Sequence, residues 1–274
     1  MTSAIEQWKT RVESHHAQSI KAEKELPESN EDFWAPLVSV FKDDPRRTDD
    51  SVLNRLARDV TSDTTVLDVG GGAGRFALPL ALRCGHVTVV EPSESMAEGL
   101  REGTKEAGID NLSIVQGSWE EVMADPADMA ICAHVVYGIA EIEPFIRKLV
   151  SHARERVMIL SFMESPLSQI SPLWKLVHGE ERIDLPALPE ILNVLWEMGI
   201  YPDVEMFEAM NPRSAENRDE ALKMLRKFLY VTPETEKDNI LEKAMKEMVD
   251  ETPDGLVLEG TRPRRQGLVS WGPE

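Results

Sequence analysis

The sequence predicts an α/β protein with a doubly wound, mostly parallel sheet, a helical segment before the sheet and a helical insertion near its end. Three observations predict this fold. The 274 residues are 42% hydrophobic, which is enough to bury a sizeable core. Between residues 65 and 161, short apolar runs alternate with segments of helical periodicity. Each run is hydrophobic nearly throughout, as expected of strands that are covered on both faces.

The predicted elements follow this alternation along the chain. Strands are predicted at residues 66–69, 87–90, 112–115, 129–132 and 157–160. Crossover helices are predicted at residues 75–83, 95–107, 120–124 and 142–154. Outside this region, the pattern predicts helices at 51–60, 189–198, 217–230 and 235–249, and strands at 204–207 and 266–271. Strands that alternate with helices imply a parallel sheet with helices on both faces.

These elements divide the chain into four parts. Residues 1–50 are polar and helical, with Pro27 between two helices, and we expect them to form an N-terminal lid. Residues 51–210 are expected to form the ligand-binding core. Residues 211–252 form a predicted helical insertion, which also offers a surface for a homodimer. Residues 253–274 are expected to complete the core sheet.

The charge balance argues against nucleic acid and membrane partners. Acidic residues outnumber basic ones by 49 to 30, a net charge of −19, whereas phosphate backbones and anionic lipids attract positive charge. The chain has no apolar run of about 18 residues, and its first residues lack the apolar stretch of a secretory signal. With only Cys84 and Cys132, both expected as reduced thiols, we expect a cytoplasmic protein. The scattered histidines predict no metal site.

A glycine-rich segment, Asp68-Val69-Gly70-Gly71-Gly72-Ala73-Gly74-Arg75, carries the strongest local signal. It follows a predicted strand and opens a predicted helix. Glycine permits a sharp turn and lets a ligand approach the backbone. The N–H groups at the start of the helix favour an anionic ligand group.

Two cofactors fit this loop, and a purely structural turn is the third interpretation. Gly72-x-Gly74-x-x-Ala77 matches the dinucleotide fingerprint, although it begins three residues after the strand. Asp68, Gly70, Gly72 and Gly74 match an acid-x-Gly-x-Gly-x-Gly spacing that begins at the strand end. Glu91, at the end of the second strand, suits the two hydroxyls of a ribose in either case.

The segment 66–74 resembles the first motif of class I S-adenosylmethionine (SAM) methyltransferases, of the small-molecule, type 11/12-like group. The segment Glu91-Pro92-Ser93-Glu94-Ser95-Met96 resembles their second motif. The resemblance implies a seven-stranded, Rossmann-like methyltransferase fold with SAM as the cofactor. It also implies that Glu91 holds the ribose and that Met96, after Pro92, flanks the adenine. The loop after the third strand would then bring Ser118 to the adenine, with Trp119 either stacked on the purine or buried in the core.

His134 and Tyr137 follow the fourth strand, where the resemblance puts the methyl group to be transferred. The Asn/Asp-Pro-Pro-Tyr motif of many enzymes that methylate exocyclic or amide nitrogens is replaced here by Ala-His-Val-Val-Tyr. His134 is therefore interpreted either as a general base or, preferably, as a residue that lines the cofactor pocket. Direct displacement at the sulfonium methyl does not require a base, since alignment supplies much of the rate.

The sequence leaves the acceptor and the turnover open. We expect Phe33, Trp34 and Trp174 to cover the mouth of the site as a lid over a small-molecule acceptor, the alternative being that they only tie helices to the sheet. A chain lacking residues 1–45 is expected to keep a folded core. The alternative functions that remain are methyl transfer to a protein or RNA, a SAM-binding regulatory protein without turnover, and an NAD-dependent oxidoreductase.

Overall fold

The computed structural model describes residues 2–27, 32–211, 217–252, 255–258 and 261–273. Their strands form a seven-stranded sheet in the order β3-β2-β1-β4-β5-β9-β6, beside a separate hairpin of β7 and β8. The strands are β1 (Thr65–Val69), β2 (His86–Glu91), β3 (Leu112–Gln116), β4 (Ala127–Ala133), β5 (Ala153–Phe162), β6 (Asp203–Met206), β7 (Val249–Thr252), β8 (Gly255–Leu258) and β9 (Gln266–Trp271).

The α-helices pack on both faces of this sheet and at one end of it. They are α1 (Ala4–Glu23), α2 (Ser51–Leu56), α3 (Ala77–Ala81), α4 (Glu94–Ala107), α5 (Ile142–Ser151), α6 (Ser171–His178), α7 (Leu188–Glu197), α8 (Arg218–Phe228) and α9 (Glu236–Met248). None of the described helices is long and apolar enough to cross a membrane.

The strand order determines where a ligand can lie. β1 pairs in parallel with β2 on one side and with β4 on the other. The order in which successive strands are added to the sheet therefore reverses between β1 and β4. In open α/β sheets, the ligand crevice lies beyond the carboxyl ends of the strands at such a point. β9 runs antiparallel between β5 and β6. Its amino end therefore lies at the same edge of the sheet as the carboxyl end of β5.

The two faces of the sheet bury separate clusters of apolar side chains, as the hydrophobic strands predict. One cluster includes Leu67, Val69 and residues of α5 and α7. The other includes Val66, Val87 and residues of α2 and α3. The prediction of a doubly wound, mostly parallel sheet is confirmed.

The first helix belongs to the core and is not part of a lid. Trp8 and Val12 are 1% and 0% exposed and lie in the same cluster as α5 and α7. The Trp8 indole N–H donates to the Ile139 carbonyl at 2.7 Å. Deletion of residues 1–45 would uncover this cluster, so from the structure we expect that deletion to destabilise the rest of the chain. A covering role is left to residues 32–41, which contain the 3-10 helix Ala35–Phe41.

Two local predictions also differ from the structure. Residues 119–121 form a turn and residues 122–126 have no regular secondary structure, so the helix predicted at 120–124 is absent. Pro126 disfavours helical backbone in the residue before it. The antiparallel pair of β7 and β8 was not predicted, and the boundary placed at residue 253 lies outside the described residues.

Candidate functional site

The glycine loop turns sharply at the carboxyl end of β1. The Gly70 N–H donates to the Val90 carbonyl at 2.8 Å, which fixes the loop to the end of β2. Gly70 and Gly74 have φ values of 72° and 90°, in the left-handed region that strains other residues. A Cβ on Gly70 would lie 2.4 Å from Val135, and one on Gly74 would lie 2.5 Å from Leu100. Glycine at these two positions is thus required by both conformation and space.

Asp68 is a buried carboxyl group that lacks a hydrogen-bond donor for one of its oxygens among the described residues. It is 1% exposed, and its Oδ1 atom has no hydrogen-bond partner among the described residues. Burial, and secondly the negative charge of Glu91, raise its pKa from 3.8 to about 7. A buried oxygen that lacks a donor is rare in folded proteins. A ligand with an N–H donor or a positive charge would satisfy it, so this residue fits SAM.

Glu91 joins the loop to the second motif and keeps capacity to accept further hydrogen bonds. Its Oε2 accepts from the Gly72 N–H and its Oε1 from the Ser93 N–H, each at 2.8 Å. Burial raises the pKa of this carboxyl despite those two bonds. Each carboxylate oxygen can accept a second donor. Two ribose hydroxyls are suitable donors for it.

The second motif is covered by the N-terminal segment. Met96 is 4% exposed and packs with Leu37 and Ala73, while Phe33 and Phe228 lie against this cluster. Phe33 thus packs over the second motif and Trp34 is 40% exposed beside it, while their role as a lid over the acceptor stays a prediction. Pro92 is exposed and Ser118 is half-buried at the ends of neighbouring strands.

An aspartate that sequence reasoning missed holds this cover in place. The Asp32 carboxylate accepts from the Ser93 hydroxyl at 2.6 Å and from the Ser95 N–H at 3.0 Å. These hydrogen bonds and one from the Trp34 N–H outweigh a cost of partial burial and lower its pKa to about 2. The contact joins residues about 60 positions apart, and no local pattern in the sequence signals it.

Two tryptophans lie away from the site. Trp119 is 3% exposed in the core against α5, its indole N–H directed at the Phe145 carbonyl and the Lys148 ammonium 4.4 Å above its ring. It is not available to stack on a purine, and the core alternative is the one observed. Trp174 is 1% exposed and packs with α9, stacked on His178. It stabilises the helical end of the protein and does not form part of a lid.

His134 and Tyr137 form a connected pair beyond the end of β4. His134 adopts a left-handed φ of 60°. Its Nδ1 lies 3.1 Å from the Tyr137 hydroxyl and its Nε2 lies 3.1 Å from Oε1 of Gln266. The Tyr137 hydroxyl accepts from the Phe162 N–H at 2.7 Å, so it is free to donate its proton to Nδ1. Gln266, the first residue of β9, was not predicted as part of this site.

The electrostatics make His134 a poor base. Burial, and secondly the positive charge of Arg75, lower its pKa from 6.5 to about 3. Burial also raises the pKa of Tyr137 to about 12. Both groups are therefore neutral at physiological pH, with both nitrogens of the imidazole engaged. This arrangement favours the interpretation that His134 lines the pocket. Among the described residues, no group of three or more histidines, cysteines or carboxylates could hold a metal ion.

Comparison with known proteins agrees with this geometry. Residues 66–156 match the family described as "Methyltransferase domain". A ubiquinone biosynthesis O-methyltransferase from Rickettsia felis is 32% identical over 100 residues, which is 36% of this chain and 41% of that protein. A probable ribosomal RNA small subunit methyltransferase A from Haloarcula marismortui is 29% identical over 191 residues, 68% of this chain and 61% of that protein. The chain thus spans about half the length of these curated relatives.

The solved structure of a SAM-dependent methyltransferase from Geobacter sulfurreducens, in complex with S-adenosyl-L-homocysteine (SAH), has the same fold. The TM-score is 0.54 at 17% identity, over 88% of this chain and 97% of that one. Residues 66–156 thus match a methyltransferase domain, in agreement with the resemblance of the two motifs. The antiparallel β9 distinguishes this sheet from the all-parallel sheet that typically binds dinucleotides.

Proposed function

We propose that this chain is a SAM-dependent methyltransferase that transfers a methyl group to a small molecule by direct displacement at the sulfonium. The observation that carries the proposal is the pair of buried carboxyl groups, Asp68 and Glu91. They lie beside a loop that requires glycine at positions 70 and 74. An orphaned carboxyl oxygen and a carboxylate with spare acceptor capacity suit the ammonium group and the ribose diol of SAM.

Each part of the proposed site has a separate task. Glu91 holds the ribose, and Asp68 receives a donor from the methionine end of the cofactor. Met96 and Phe33 provide apolar surface for the adenine, with Pro92 and Ser118 at the ends of the adjacent strands. His134, neutral and held on both sides, lines the place where the methyl group is transferred. SAM supplies a methyl group on a good leaving group, so these residues bind and align without transferring a proton.

Two observations support a small molecule over RNA as the acceptor. The net charge of −19 opposes binding to a phosphate backbone. Residues 32–41 and α8 cover the second motif and restrict access to it. The relatives divide on this point, since one is named for ubiquinone biosynthesis and the other for ribosomal RNA.

A turnover assay tests this proposal. The full chain is incubated with SAM and either the small-molecule filtrate of a bacterial lysate or purified ribosomal RNA, and release of SAH is measured. We expect SAH release with the filtrate. This release should be lost in Glu91→Gln and kept in Asp125→Asn, because Asp125 is an exposed acid at the opposite edge of the sheet. Release with RNA alone would refute the small-molecule assignment. SAM binding without release in either mixture would instead favour a regulatory protein.

A further inference from the structure

One cation at this edge of the sheet has no anionic partner among the described residues. Arg264 lies just before β9, and its guanidinium is 5.6 Å from the centre of the Phe162 ring. That ring stacks on His134 with 4.2 Å between the ring centres. Arg264 is thus beside the pair that lines the proposed transfer site, although 130 residues separate it in sequence from His134.

The hydrogen-bonding capacity of this guanidinium is mostly unused. One Nη donates to the side-chain oxygen of Gln169 at 2.9 Å, and the Nε atom is buried with no partner in the described part of the chain. Arg264 makes no ion pair with any described carboxylate. A guanidinium has five N–H donors in a planar fork that matches a carboxylate. Burial lowers the pKa of Arg264, because it removes water from the cation and no described carboxylate replaces that water.

The backbone holds this residue firmly in place. The Arg264 N–H donates to the Met210 carbonyl at 2.7 Å, and the Met210 N–H donates to the Arg264 carbonyl at 2.9 Å. Two residues later, Gln266 bonds to His134. The backbone of Arg264 is therefore fixed just before the strand that carries Gln266, and its side chain is half-buried, unlike that of the exposed Arg262 nearby.

We propose that Arg264 binds an anionic group of the methyl acceptor, so that the acceptor is a small carboxylic acid with an apolar body that lies near Phe162. This inference rests on the proposed function, since it names the acceptor class of the same site. A carboxylate would occupy the unused donors and restore the charge balance of a desolvated cation. The alternative is that Arg264 only stacks on Phe162 to fix the chain before β9.

Matched pairs of acids and amides test this assignment. The probes are benzoate and benzamide, phenylacetate and phenylacetamide, and hexanoate and hexanamide, titrated by NMR into the SAH-loaded full chain. We expect at least one acid to bind about tenfold more tightly than its amide, the usual worth of a hydrogen bond to a charged group. Arg264→Gln should abolish that preference, Arg264→Lys should keep part of it, and Arg262→Gln should leave it unchanged.

The outcomes separate this inference from the proposed function. Two results would overturn the role of Arg264 if the chain binds SAH: no acid preference in any pair, or a preference that survives in Arg264→Gln. Neither result would contradict the methyltransferase proposal. The titrations are repeated without SAH. If the chain fails to bind SAH but still prefers an acid through Arg264, the proposed function is wrong and the anion site remains. Thermal unfolding of each variant shows whether Arg264→Gln is folded, and Arg264→Lys provides the second comparison.

Discussion

Neutralising Asp68 should stabilise the protein while it damages the site. The pKa of this carboxyl rises from 3.8 in an unfolded chain to about 7 in the fold. An acid with a raised folded pKa is destabilising once it ionises, so stability is greatest below about pH 4 and is lost as the pH rises to 7. At about 1.4 kcal/mol per pKa unit, the penalty is roughly 4 kcal/mol above pH 7 and less than half of that at pH 5. Asp68→Asn removes it.

Urea unfolding of the ligand-free protein at about pH 5 and pH 8 measures this effect. Asp68→Asn should be more stable than the wild type, and the difference should grow by about 2–3 kcal/mol between those pH values. Asp128→Asn is the matched control of opposite sign, because hydrogen bonds from Thr65 lower the pKa of Asp128. A variant at position 68 that is no more stable than the wild type at pH 8, or whose advantage is independent of pH, would refute the reasoning.

Three further predictions concern the first helix, the histidine and the cover. Trp8→Ala should destabilise the protein by about 3–5 kcal/mol in chemical denaturation, because it empties a buried site in the main core; a loss below about 1 kcal/mol would place α1 outside the core. The rate of methyl transfer should show no titration of His134 near pH 6.5, because its pKa is about 3; an ionisation there that disappears in His134→Gln would make it a base. Asp32→Ala should speed SAH dissociation in stopped-flow measurements, because it releases the cover. Asp49 is exposed, and Asp49→Ala should not change the rate. Equal rates in both variants and the wild type would argue against a cover held by Asp32.

The sheet was predictable because its strands carry their own signal. Buried parallel strands are continuous apolar runs, and the glycine loop at the end of β1 has a spacing that few other structures require. Even the antiparallel β9 was located at its observed bounds, 266–271. The short segment 120–124 was misassigned because five residues are too few to separate a helix from a turn by periodicity.

The side chains around the site were harder to predict, because their partners are distant in sequence. Trp119 directly follows Ser118 and Trp174 lies after the fifth strand, yet both side chains are directed into apolar clusters. Asp32, Arg264 and Gln266 contribute contacts at the site, but each reaches it through a tertiary contact across 60 or more residues. Local patterns locate strand ends and loops, whereas only packing determines which side chains meet there.

The most direct test of the account is calorimetric titration of SAH into the wild type and Glu91→Gln, with NAD titrated in parallel. We expect one SAH site per chain and no saturable binding of NAD. Glu91→Gln should bind SAH at least tenfold more weakly, because the charged acceptors of the ribose hydroxyls are lost. Binding of NAD in place of SAH, or SAH affinity unchanged by Glu91→Gln, would contradict it.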